Sequence, residues 1–159
     1  MINKIVSAWL ILKDGDSKGR VALQKRSIRE KKFPHICQAT WSGKIEVGET
    51  KEKALERECI EELGEKFFKN INFSQLKKIP ESSNTRDGIT WNCYNYLAEV
   101  NCDLISCAKI HEDALVDFVF VDSKNKIYPI SSGKDPDKNI VLFDDQYEVL
   151  KNILSGDIR

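Results

Sequence analysis

Glu58, Glu61 and Glu62 stand at i, i+3 and i+4 in a run of strong helix formers, so a helix there carries three carboxylates on one face. Acidic helix faces are commonly solvated and laced with ion pairs. Here the partners are missing. Four residues from Glu58 lie Ala54 and Glu62, three residues away lie Leu55 and Glu61, and none is a cation. Like charges at these spacings repel by roughly 0.2–0.5 kcal/mol per pair, so another interaction must favour them. A hard divalent cation does so: Mg2+ prefers carboxylate oxygens and shares its shell with water and phosphate. The chemistry in prospect is divalent-metal binding, with water and phosphate as co-ligands.

The surrounding residues are spaced as Gly43, five residues, Glu49, seven residues, Arg57-Glu58, two residues, Glu61-Glu62, one residue, Gly64. This resembles the signature box of the Nudix hydrolases, G-x5-E-x7-R-E-U-x-E-E-x-G-U, in which U is a bulky aliphatic residue. All seven fixed letters are present across the 23 residues from Gly43 to Glu65. Three positions depart from the usual pattern. Cys59 and Glu65 occupy the aliphatic positions, and Ser42 stands where many members carry a second glycine. Cysteine packs as a small hydrophobe; for Glu65, Phe67 or Phe68 is the expected replacement in the packing.

The resemblance implies an α/β (α+β) fold of the Nudix type, an α/β/α sandwich around a mixed β-sheet, with residues 1–159 forming one domain. It implies Mg2+, with Mn2+ as a substitute, held by Glu58 and Glu62, by Glu61 as a third carboxylate, and by the Gly43 carbonyl. Arg57 is expected to orient the site by pairing with Glu49. A further carboxylate after the box, acting as an extra ligand or general base, falls on Glu112, with Asp113 as its understudy and His111 beside it; an ordinary acidic loop is the alternative. The implied activity is hydrolysis of a nucleoside diphosphate linked to another moiety. An isopentenyl-diphosphate isomerase-like protein and a non-catalytic nucleotide-binding module are the rivals. The first is disfavoured by Ser42-Gly43-Lys44, where that branch has Cys-Gly-His, and the second by the complete set of box glutamates.

Several elements must position these groups. Val6–Leu12 is an apolar run of strand length, and Val21–Arg26 reads as its returning partner. Ile36–Ile45 is strand-like and leads into the box. Thr50 is a natural N-cap for a helix over about 50–63, and Gly64 stops it. Ile71–Ile79 and Ile89–Val100 read as strands around a polar loop containing Pro80, Asn84, Asp87 and Gly88. Asp103–Ile110 reads as a short strand, and Asp117–Asp122 as one buried on both faces. A closing helix spans about 142–154, capped by Asp144 or Asp145.

For the substrate, Arg26 and Lys44 are the candidate phosphate-binding cations within a basic stretch that also holds Lys25, Arg29, Lys31 and Lys32. Trp9, Trp91, Tyr94 and Tyr96 are either stacking surfaces for a base or core residues. Asp144 and Asp145 either read a purine edge or cap the helix.

Lysine and arginine total 25, as do aspartate and glutamate, so the zero net charge argues against a stable nucleic-acid partner or a polybasic membrane binder. No apolar run reaches the roughly 20 residues of a membrane helix, and Met1–Ser7 has no secretory-signal character. Five cysteines without a C-x-x-C pair fit a reducing cytoplasm. The expected partner is a small-molecule nucleotide, and the choice between monomer and homodimer stays open.

Overall fold

The computed structural model describes residues 1–109 and 117–158. In chain order its elements are β1 (Ile2–Leu12), β2 (Val21–Lys25), β3 (Cys37–Gln38), β4 (Trp41–Lys44), α1 (Lys51–Leu63), α2 (Glu65–Asn70), β5 (Lys77–Arg86), β6 (Ile89–Val100), β7 (Asp117–Val121), β8 (Ile127–Pro129), β9 (Ile140–Leu142) and α3 (Asp144–Ser155). Among the described residues, no helix is long and apolar enough to cross a membrane.

The apolar run of β1 lacks period-two alternation because both of its faces are covered. Val6, Ala8, Leu10 and Leu12 pack with Trp41, Leu55, Cys59, Leu63 and Phe67 on the side of α1 and α2. Trp9 and Ile11 pack with Leu23, Leu142, Leu150 and Ile153 on the side of α3. A mixed sheet thus lies between helices, as the α/β (α+β) sandwich requires. β6 runs parallel to β1 along its full length. The other edge of β1 serves two antiparallel partners: β4 over Ile5–Ala8 and β2 at Leu10 and Ile11. At this fork the Thr40 hydroxyl accepts from Leu10 N at 3.0 Å and donates to the Ala22 carbonyl at 2.6 Å. That side chain satisfies backbone groups the ladder leaves open, so the expected strand over Ile36–Ile45 is divided into β3 and β4.

Five expectations are corrected. The first half of Ile71–Ile79 is not strand; Phe73–Gln75 is a 3₁₀ turn capped by Asn72, and β5 begins only at Lys77. β5 then continues through Pro80 and Asn84, the expected loop residues. It is an edge strand, where Pro is tolerated at the bulge between Ile79 and Ser82. Residues Cys102–Cys107 form a 3₁₀ helix rather than a strand, started by the Asp14 carboxylate accepting from Cys102 N at 2.6 Å. β7, expected to be buried on both faces, is only half-buried, because Phe118 and Phe120 pack only partly against one core cluster and Val119 only partly against the other. At α3 the N-cap is Phe143, and neither Asp144 nor Asp145 caps; the Asp144 carboxylate accepts instead from Ser131 N at 3.0 Å.

Candidate active site

α1 begins where expected: the Thr50 hydroxyl accepts from Lys53 N at 3.1 Å, and Gly64, at φ 90°, ends the helix. Ala54, Leu55, Cys59 and Leu63 turn into the core, which fixes the rotation of the helix and leaves Glu58 and Glu62 beside β4. The Trp41 indole donates to the Leu55 carbonyl at 3.0 Å and pins β4 to the helix.

Arg57 is the hub. Its guanidinium grips Glu49 with two bonds of 2.7 and 2.9 Å, donates to Glu58 at 2.7 Å and to Glu61 at 3.2 Å, and reaches the Lys44 carbonyl at 2.8 Å. One planar fork therefore ties together the loop before α1, the strand before that loop, and the acidic face. The charge-assisted bonds from Arg57 draw the Glu49 carboxyl down to about 2, and the same pairing raises Arg57 further above its usual range.

Glu58 and Glu62 lie deeper than Glu61. Burial raises Glu58 despite the opposing pull of Arg57. Burial, followed by the charge of Glu58, pushes Glu62 up to about 8. The Glu62 carboxylate accepts from Ser42 N at 3.3 Å and from the Gln24 amide at 3.4 Å. Gly43 is glycine for a steric reason: a Cβ there would overlap the Glu58 carboxylate. Strand and helix thus approach closely enough to bring the Gly43 backbone against that side chain. Glu61 is turned outward, with its side chain 57% exposed. Among the described residues no three acidic, His or Cys side chains are gathered so as to hold a metal ion by themselves. Glu58 and Glu62 are the oxygen donors that Mg2+ would take, with water and phosphate oxygens completing its shell. Glu112, with His111 and Asp113, lies outside the described residues.

The two candidate phosphate cations differ. Arg26 donates to the Phe33 and Lys32 carbonyls and to Glu30, so its guanidinium closes its own loop. Lys44 is exposed, and its ammonium stands 6.0 Å from the Trp91 ring. Of the candidate stacking residues, Trp9 is fully buried and donates to Asn95, and Tyr96 is 5% exposed; both belong to the core. Around Trp91 the structure gathers residues that sequence reasoning missed. Arg86 lies 3.9 Å over the Phe143 ring and 5.9 Å from Trp91, and Phe33 meets Phe143 edge-on at 5.1 Å. Asp145 is close by, raised by burial and partly offset by the charge of Arg86. Phe33, Arg86 and Phe143 are too far apart in the chain for any local pattern to have joined them.

The profile of the NUDIX domain matches residues 3–129, so the chain belongs to that family, and its class is that of the Nudix hydrolases. No curated protein matches it in sequence. Solved structures share the fold at low identity. A MutT protein from Methanosarcina mazei Go1 aligns with a TM-score of 0.64 and 14% identity, covering 98% of this chain and 94% of its own. The C-terminal domain of mouse MUTYH, solved with human PCNA, gives a TM-score of 0.61 at 11% identity, covering 98% and 89%. A MutT NUDIX hydrolase from Burkholderia pseudomallei gives 0.55 at 20% identity, covering 76% and 82%.

Proposed function

We propose that the protein, with residues 1–159 working as one domain, is a Mg2+-dependent pyrophosphohydrolase of nucleoside diphosphates linked to a further moiety. The observation that carries this is the packing of the Glu58 carboxylate against Gly43 with Glu62 behind it, both half-buried and both raised by that burial. Glu58 and Glu62 would hold the metal, with Glu61 and the Gly43 carbonyl as additional oxygen donors. The bound metal supplies charge neutralisation on the phosphoanhydride and a water of lowered pKa.

The chain's own residues do the rest. Arg57 fixes Glu58 and the Glu49 loop, so the ligand carboxylates are set before substrate arrives. Gln24 and Ser42 N hold Glu62 in position. β4 links this acidic centre to the aromatic cluster, because Lys44 gives its carbonyl to Arg57 and extends its ammonium toward Trp91. The base stacks among Trp91, Phe33 and Phe143, with Arg86 as donor and Asp145 as the group facing the base edge. Lys44 is the phosphate-binding cation, and the role of Arg26 is to shape the loop that carries Phe33. Glu112 is the remaining candidate for general base. The five free cysteines favour a reducing, cytoplasmic setting.

The test is a panel of nucleotides incubated with protein and Mg2+ in heavy-oxygen water, with products weighed by mass spectrometry. A nucleoside monophosphate carrying one heavy oxygen, or its partner phosphate carrying it, is the expected outcome. Binding without turnover across the panel overturns the proposal.

A further inference from the structure

We propose that a second site, in front of the first turn of α1 and separate from the acidic centre, binds a phosphate group. A cavity of about 400 Å³ opens there, lined by Lys4, Lys51, Lys78 and Tyr94 together with Thr50. It continues into a recess of about 60 Å³ that shares Lys51, Lys78 and Tyr94 and adds Tyr96. The sheet register explains the convergence. Lys78 on β5 lies directly opposite Tyr96 on β6, and Tyr94 and Tyr96 both pack on the α1 side of the sheet. Lys4 projects from β1 with the even-numbered residues that face α1. Lys51 opens the helix and holds its ammonium 3.8 Å from the centre of the Tyr94 ring.

Three features point to an anion. None of the three lysines forms an ion pair with a described residue, while Arg57 consumes the charge of the neighbouring Glu49. The remaining carboxylates at the rim, Glu52 and Glu81, are exposed to solvent. The positive end of a 13-residue helix faces the same space. Tyr96 supplies the independent observation. It is only 5% exposed, its hydroxyl has no hydrogen-bond partner, and it lines the inner recess. A buried hydroxyl left unpaired is costly, and native proteins rarely tolerate one without a reason. A phosphate oxygen accepting from it, with ammonium groups around the rest of the anion, satisfies every group named.

The site lies about two turns of α1 from Glu58, roughly 10 Å along the axis, and Glu49, which Arg57 holds, forms part of its wall. An anion bridging Lys51 to β5 and β6 holds the first turn of α1 against the sheet. It thereby steadies the Glu49 loop that Arg57 grips.

The test uses full-length, metal-free protein in EDTA, so that the acidic centre cannot recruit phosphate through a metal and the outcome is independent of hydrolysis. Inorganic phosphate and a nucleoside 5′-monophosphate are titrated separately at constant ionic strength, and backbone amides are followed by NMR. Saturable shifts at Lys4, Lys51, Tyr94 and Tyr96 are expected from both probes. Equal affinities assign recognition to the phosphate alone, and tighter binding of the monophosphate assigns the phosphate end of a nucleotide. The Lys4→Gln/Lys78→Gln double variant, altered only at exposed positions, should bind about tenfold more weakly. Tyr96→Phe should weaken binding without lowering the melting temperature of the free protein, because its hydroxyl makes no bond there. Absence of saturable shifts at these residues, or unchanged affinity in the double variant, overturns the site.

Discussion

Gly43→Ala isolates the close approach on which the acidic centre depends. The glycine sits in β4 without a left-handed φ, so alanine brings no backbone strain. The nearest atoms the added methyl meets are those of the Glu58 carboxylate. If Glu58 swings aside, it loses its 2.7 Å bond to Arg57, a charge-assisted contact in a setting where its side chain is 13% exposed. Such a bond contributes about 1.5–3 kcal/mol. If β4 moves instead, overpacking of about 1–3 kcal/mol falls on the Trp41 and Leu55 contact. Either route costs about 2 kcal/mol, which for a chain of this length lowers Tm by roughly 4–8 °C. Activity should fall further, by about 100-fold or more, because the displaced group is the proposed ligand itself. Thermal melts and steady-state kinetics at saturating Mg2+ measure the two effects. The decisive control is a double-mutant cycle with Glu58→Ala, in which the nearest obstacle to the methyl is gone and most of the stability cost of Gly43→Ala should vanish. An equal cost in both backgrounds, or wild-type turnover by Gly43→Ala, refutes the reasoning.

The other expectations concern the groups around that contact. Glu58→Gln and Glu62→Gln should each lower kcat by about 10²–10³-fold, with circular dichroism unchanged; retained turnover in both removes their assignment as ligands. Arg57→Lys should lose both stability and activity, since one ammonium cannot reach Glu49, Glu58 and the Lys44 carbonyl together; a melting curve matching wild type argues that the fork is dispensable. Glu49 gives the acid limb its shape. Its folded pKa of about 2 lies below the ordinary value of 4.5, so its contribution is complete above pH 4.5 and disappears as pH falls toward 2. The stability gap between wild type and Glu49→Gln should therefore close over that window, and a gap independent of pH contradicts the pairing.

The helix that carries the chemistry was legible because its signals are local. Thr50 caps it, Gly64 ends it, and the buried set Ala54, Leu55, Cys59 and Leu63 sets its rotation within a few residues of sequence. β1 and β6 were legible for a similar reason, as long runs whose apolar content survives any register. β5 was not. As an edge strand it is mostly exposed, and its pairing rests on polar cross-strand contacts such as Ser83 with Asn92 and Thr85 with Thr90. Those contacts acquire meaning only once the hairpin at Asp87-Gly88 fixes the register. The 3₁₀ helix at Cys102–Cys107 depends on Asp14, 88 residues away. Phe33, Arg86, Phe143 and Asp145 meet only after the sheet has folded, and Gly43 shows the same limit from the other side. The residue type was visible in the sequence, whereas its reason, the Glu58 carboxylate against its α-carbon, exists only in three dimensions.

One consequence of the geometry separates folding from catalysis. Two carboxylates packed beside each other and away from water destabilise the ionised state of both, and here that burden falls mainly on Glu62. The fold opposes it with a few donors: Arg57 for Glu58, and Ser42 N and Gln24 for Glu62. These bonds orient the oxygens but do not neutralise both charges, since Arg57 is divided among Glu49, Glu58 and Glu61. Burial and the charge of Glu58 both favour a proton on Glu62 in the isolated protein. A divalent cation accomplishes the same neutralisation while displacing that proton, so its binding should be coupled to proton release. The arrangement that is poorly compensated in the protein alone is the one that the proposed chemistry needs.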